Sequence, residues 1–304
     1  MALRRSIRRA ARGRAVRNHP AGTATAGWIL SLPALLGVAV LLVLPIGQAV
    51  YYSMTNWNGL TSTWVGPSTY LQLFQDPTFR RVLENNGLLL LFVPIMILIP
   101  LGISFLLHEA IWGWKFFRSV IFVPTAISWV VIGLVAARFY ALNGILNGFL
   151  SSIGLGFIKT NMLGNTRQAL AALAITLVWS QLGTNTIIFI TGLAALDPSL
   201  AEAARVDGAS SLRVYRRIIV PQMMRFIQFA FIITLITAFT AIFSLIFVMT
   251  GGGPDYGSTT LEFYVYQQAF VQSAFGTGAL LGVLLFVLIA AVSVVQVRLL
   301  RSKI

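Results

Sequence analysis

The chain has 304 residues, 57% hydrophobic and 10% charged, with a mean hydropathy of +0.84. Soluble domains carry about 25% charged residues, so charges this sparse, gathered between apolar runs, exclude an ordinary soluble domain and describe an integral membrane protein. The net charge of +14 fits either a nucleic-acid patch or the basic cytoplasmic loops of a membrane protein, while the lack of cysteine removes disulfides, thiol catalysis and thiolate metal sites.

Residues 1–26 form a leader with seven arginines, Arg4 to Arg17. The run that follows, GWILSLPALLGVAVLLVLPIGQAV over 27–50, is longer than the roughly 7–15 apolar residues of a signal peptide and reads as an uncleaved first span. Further runs near twenty apolar residues lie at 84–108, 116–139, 168–192, 219–249 and 276–298. The expected fold class is therefore an all-α integral membrane protein, with six transmembrane helices in one domain over 27–304. Pro33, Pro45, Pro94, Pro100 and Pro124 interrupt spans, which helix bundles tolerate because neighbouring groups satisfy the freed carbonyls. His19 and His108 are far apart, with no ligand pattern around either, so no metal site is expected.

Basic residues set the orientation. With the N-terminus inside, the inner segments hold the seven leader arginines together with Lys115, Arg118, Arg205, Arg213, Arg216, Arg217, Arg225, Arg298, Arg301 and Lys303. The outer loops keep Arg80, Arg81, Lys159 and Arg167, a split of 17 to 4 with Arg138 undecided. Both termini are thus expected in the cytoplasm. Once the charge is distributed this way, nucleic-acid binding has nothing left to support it. Arg138, near the outer end of the third span, either snorkels to the headgroups or meets a polar ligand.

Between the fourth and fifth spans lies EAARVDGASSLRVYRRIIVP, Glu202 to Pro221, the most polar interior segment of the chain. Asp197 and Pro198 before it form a helix start, and Gly208 permits a left-handed stop. SLRVYRRII resumes a helical pattern, with Leu212, Tyr215, Ile218 and Ile219 on one side and Arg213, Arg216 and Arg217 on the other. This elbow is either an interfacial helix pair or a docking element for a partner. The small residues Ala201, Ala203, Ala204 and Ala209 favour docking, since they permit close approach of another surface.

The spacing Glu202-Ala203-Ala204, Gly208, Ile218, Val220-Pro221 resembles the EAA loop of binding-protein-dependent ABC importer permeases, departing from it only in Val220, where leucine is usual. Two further stretches, TGGGPDYGSTTLEFYVYQQAF over 250–270 and FGTGALLG at the start of the sixth span, resemble the carbohydrate-uptake branch, which includes permeases for maltose-like sugars and for glycerol-3-phosphate. The resemblance implies a second, similar permease, a dimer of ATPase subunits, an extracytoplasmic solute-binding protein and a small-molecule substrate, all around a chain in the bacterial cytoplasmic membrane and its lipid. No G-x-x-x-x-G-K-[ST] loop occurs, so ATP and Mg are expected on the partner ATPase, with no cofactor and no enzymatic activity in this chain. By the resemblance Glu202, Ala203 and Gly208 carry the ATPase coupling together with Ala204. Arg205 and Asp207 pair either with the ATPase groove or with one another.

A substrate pathway is expected near the midplane, lined by polar groups in apolar spans: Trp179, Gln181, Thr184 and Asn185 in the fourth, and Thr234, Thr237, Thr240 and Ser244 on one face of the fifth. Sugar sites combine hydroxyl-bonding amides with an aromatic platform, and the fourth span has both. The competing reading for each is interhelical glue. TGGGP lacks the helix and lysine of a phosphate cradle and reads as a turn that lets the chain re-enter the bilayer. A membrane-embedded enzyme lacks a nucleophile–base pair or carboxylate dyad, and a passive channel has no use for the elbow. The remaining alternative within the same class is an importer of glycerol-3-phosphate or a glycerophosphodiester.

Overall fold

The computed structural model describes residues 21–109 and 112–301. Residues 1–20 of the predicted leader lie outside the described residues. The chain divides into two compact units, 1–51 and 52–304.

In the first unit, the helix Ala21–Val38 runs through a wider turn, Ala39–Val43, into the helix Leu44–Tyr52. Pro45 has no N–H to give, and the widened turn sits beside it, with Leu44 N–H reaching back to Ala39 O. Gly27–Tyr52 is apolar on every side, with none of its most apolar stretch buried, as expected of a helix that meets lipid.

The second unit is organised around a 32-residue rod, Pro77–His108. Asp76 caps it by accepting Thr78 N–H at 2.8 Å, and Pro77 occupies its first turn. A short break at Leu91 and Phe92 precedes Pro94. The rod begins seven residues before the predicted 84, because its first turns carry Arg80, Arg81, Glu84, Asn85 and Asn86 and so escape a search for apolar runs.

The third predicted span, 116–139, is two helices, Trp114–Ala126 and Trp129–Tyr140, broken after Pro124 and restarted at Ser128, whose hydroxyl accepts Val131 N–H. Thr166–Ala194 is a continuous helix capped by Asn165. After the elbow, Met224–Thr240 leaves Ser211–Gln222 at an angle of 71°. The fifth predicted span does not run through to 249. It stops at Thr240 and restarts as Phe243–Met249. A Gly-rich turn, two short helical segments over Leu261–Val271 and the long helix Phe275–Arg301 complete the chain. Among the described residues five helices are long and apolar enough to cross a membrane, or up to six with the bent pair taken as one span. Among the described residues the sole β pairing is an isolated bridge, Thr55 to Trp64.

Three apolar clusters hold the unit together. One joins Leu89 and Met96 to Leu173, Leu177, Leu245 and Ile246. A second joins Ile97 and Leu101 to Phe189, Leu193, Val214, Ile219 and Met223. The third joins Phe79 and Val82 to Leu261, Tyr264, Leu280 and Leu281. Burying each such side chain is worth about 1.5–3 kcal/mol relative to exposure.

Candidate coupling site

The elbow is built as its sequence dictates. Asp197 accepts Ser199 N–H at 3.0 Å, which holds the Asp197 carboxyl below the usual carboxylate range, and the helix Pro198–Val206 follows. Its end is a Schellman arrangement: Ala209 N–H reaches Ala204 O at 2.9 Å and Gly208 N–H reaches Arg205 O at 3.0 Å. Gly208 sits at φ +80°, where a side chain is strained although a Cβ there would meet nothing.

The two faces of this helix differ. Ala201, Ala204 and Ala209 pack on the apolar cluster of Leu101, Phe189 and Met223. Leu200, Ala203 and Val206, spaced three apart, face outward with Glu202, and Val206 is 88% exposed. An outward stripe of apolar and small residues on a polar segment is the mark of a surface that a partner protein or a membrane interface covers, so both alternatives left open by the sequence fit it.

Arg205 meets neither Asp207 nor empty solvent. It forms an ion pair with Glu109, just past the end of the rod. A cavity of about 450 Å³ lies alongside the helix, lined by His108, Glu109, Asp197, Arg205 and Gln222 and also by Leu200 and Glu202 of the outward stripe. Beyond Gly208, Tyr215 O–H donates to Leu101 O at 2.8 Å, and its ring lies 4.2 Å from that of Phe105. Arg213, Arg216 and Arg217 stand around a separate basic hollow with Ser210 and Leu212. The Glu109 pairing was not legible in the sequence, where Glu109 is one acid at a span boundary 96 residues away.

The expected pathway residues are not brought together. At 100° per residue, Trp179 and Gln181 lie 200° apart on their helix, whereas Gln181 and Asn185 share a face. Trp179 lines an apolar hollow of about 370 Å³ with Ile132, Val135, Phe139, Tyr140 and Ile175. Gln181 and Asn185 are buried on the other side. Asn185 Nδ2 donates to Met96 O at 2.8 Å and to Thr234 Oγ1 at 3.0 Å, tying three helices. That is the interhelical role rather than a free amide. Thr184 and Thr237 are partly buried, and Thr240 is exposed. The break after Thr240 takes Ser244 out of register with the threonines, so the predicted single face does not extend to it. Nothing in FTAIFS announces that break. Glu262, twenty residues on, lies beside the backbone N–H groups of Ile242 and Phe243 where the helix restarts.

The TGGGP stretch is a turn. Gly251 and Gly252 have positive φ, Thr259 Oγ1 donates to Gly252 O at 2.8 Å, and Ser258 Oγ donates to Gly253 O at 2.9 Å. The rod grips it from the side opposite the elbow. Asn85 Nδ2 donates to Tyr256 O at 2.8 Å and Thr259 O at 2.9 Å, and Asn86 Oδ1 accepts Leu261 N–H at 2.8 Å.

The fold is a multi-pass helical bundle of the membrane class, with a capped, exposed elbow between two of its long apolar helices. Residues 78–304 match the family described as binding-protein-dependent transport system inner membrane component, and the chain belongs to that family. Over 276 residues it is 32% identical to the multiple sugar-binding transport system permease protein MsmF of Streptococcus mutans serotype c, covering 90% of this chain and 94% of that one. It is 27% identical over 281 residues to the sn-glycerol-3-phosphate transport system permease protein UgpA of Yersinia pestis, covering 91% and 94%. The fold matches a bacterial alginate ABC transporter, solved in complex with alginate pentasaccharide-bound periplasmic protein, with a TM-score of 0.78 over 90% of this chain and 93% of that one, at 19% identity. The chain is accordingly a multi-pass inner-membrane protein.

Proposed function

We propose that the chain is one permease subunit of an ATP-driven importer that moves a sugar or sugar-like solute inward by alternating access. The outward stripe of Leu200, Ala203 and Val206, beside Glu202 on a helix fixed by Asp197 and Gly208, carries the reading. It is a ready-made docking face, and family membership states what kind of machine it serves. In this reading six spans cross the membrane, the elbow lies between the fourth and fifth on the cytoplasmic side, and both termini are cytoplasmic. The 17-to-4 split of basic residues supports that orientation.

The driving groups belong to other chains. A dimer of ATPase subunits binds ATP and Mg, a second permease completes the pathway, and an extracytoplasmic binding protein delivers the solute. Closure of the ATPase dimer moves the groove in which the elbow sits. Because ATP shifts a two-state equilibrium only through differential affinity, the elbow must fit that groove differently in the inward and outward states. Glu202 makes a polar contact there, Ala203 allows close packing, and Gly208 fixes the bend. Substrate chemistry follows the relatives, of which MsmF is named for sugars.

The test is reconstitution of this chain with its partner permease, ATPase subunits and binding protein in vesicles. The proposal expects ATP hydrolysis to rise with binding protein loaded with an oligosaccharide, and labelled sugar to accumulate. Stimulation by glycerol-3-phosphate alone selects the other solute class, and accumulation without ATP contradicts the importer.

A further inference from the structure

The Pro77–His108 rod holds both ends of the second unit. Among the described helices it alone contributes to all three apolar clusters: Phe79 and Val82 in one, Leu89 and Met96 in the next, Ile97 and Leu101 in the last. At its start Asn85 and Asn86 make three hydrogen bonds of 2.8–2.9 Å to the backbone of Tyr256, Thr259 and Leu261. Asp76 Oδ2 accepts from Tyr264 O–H, and Arg81 lies 3.6 Å from Asp255. At its end Glu109 pairs with Arg205 of the elbow helix, and Leu101 O accepts from Tyr215. Asn85 and Glu109 are 24 residues apart, about 36 Å at 1.5 Å per residue, enough to cross the roughly 30 Å hydrocarbon core of a membrane.

Buried side-chain amides hydrogen-bonded to the backbone of another segment do not slide. Each release leaves a buried polar group without a partner. At the inner end the Tyr215–Leu101 bond holds the elbow's second arm, whereas the helix Pro198–Val206 is tied to Glu109 by a part-exposed ion pair, with side-chain exposures of 43% and 32%, which breaks and re-forms cheaply. The rod is thus fixed firmly at the turn and latched reversibly at the elbow's first helix.

We infer that the Pro77–His108 rod transmits motion between the 250–264 turn and the ATPase-coupling helix, with Asn85 and Asn86 as its fixed fastening and Glu109–Arg205 as its latch. Glu109 is in this sense a positioning residue, acting on the partner through Arg205. The inference rests on the importer reading above and adds the route. Movement of the elbow reaches the far face of the membrane along this helix, beside the fourth and fifth spans.

The chain has no native cysteine, so in an assembly whose partner subunits are also freed of cysteine Asp255→Cys, on the turn and exposed, reports alone, with the Arg81 pair lost equally from every variant compared. In the full assembly in vesicles, its rate of labelling by a membrane-impermeant maleimide is compared with and without ATP, Mg and vanadate. The unmutated latch gives a nucleotide-dependent change. Glu109→Gln, at a part-exposed site that does not threaten folding, shrinks that change by about two- to fivefold, the weight of one such ion pair. Glu109→Asp, or the exchange Glu109→Arg with Arg205→Glu, restores it. Asn85→Ala shrinks it too, and the double variant Asn85→Ala with Glu109→Gln loses less than the product of the two reductions. A wild-type change that survives Glu109→Gln intact overturns the inference while the importer stands. Absence of any nucleotide response and of ATP-driven uptake in the unmutated assembly removes the importer reading and this inference with it.

Discussion

Gly208 and Asn185 show how single residues fix the geometry on which coupling depends. Gly208 is at φ +80° and its N–H is bonded to Arg205 O. Gly208→Ala therefore costs about 1–2 kcal/mol of left-handed strain, with no clash to add. Gly208→Pro also removes the N–H and imposes a φ near −65°. That variant is expected to abolish stimulation of ATP hydrolysis by loaded binding protein, while subunits carrying Gly208→Ala retain part of it. Normal uptake by Gly208→Pro contradicts the role of the bend. Asn185 is fully buried and bonded to Met96 O and Thr234. Asn185→Leu leaves those partners unsatisfied, and a loss of about 1–3 kcal/mol is expected, read as a lower midpoint in thermal unfolding in detergent. An unchanged midpoint with altered solute preference places Asn185 on the pathway instead.

The elements divide into those that local sequence announces and those that it does not. The elbow was legible because each of its parts is a local signal: Asp197-Pro198 to begin, Gly208 to end, alanines between. The continuous Thr166–Ala194 helix was legible for a similar reason, as an apolar run after Asn165. The rod's first turns were not, since their polar side chains face the 256–261 backbone, and apolarity records burial against lipid rather than against a hydrogen-bonding segment. The break after Thr240 was invisible because no glycine or proline marks it in FTAIFS. The structure separates the expected pathway residues for a geometric reason. Trp179 and Gln181 are neighbours in sequence but lie on opposite sides of one helix.

At the scale of the whole molecule, the second unit holds one turn by the rod's asparagines and presents an elbow with an exposed apolar stripe. Composition alone indicated the membrane, and the family match agrees. What composition could not indicate is that one helix joins the two, because that depends on contacts separated by 171–175 residues at one end and 96 at the other. The account turns on the elbow's outward face meeting an ATPase. Ala203, exposed in the middle of that face, is the residue to test, and a chain without cysteine makes Ala203→Cys the sole thiol it offers. With single cysteines placed around the groove of the partner ATPase in the assembled transporter, oxidation is predicted to yield a crosslinked pair and to arrest ATP-driven uptake until the bond is reduced. Uptake that continues undiminished, with no crosslink to any ATPase position, contradicts the account.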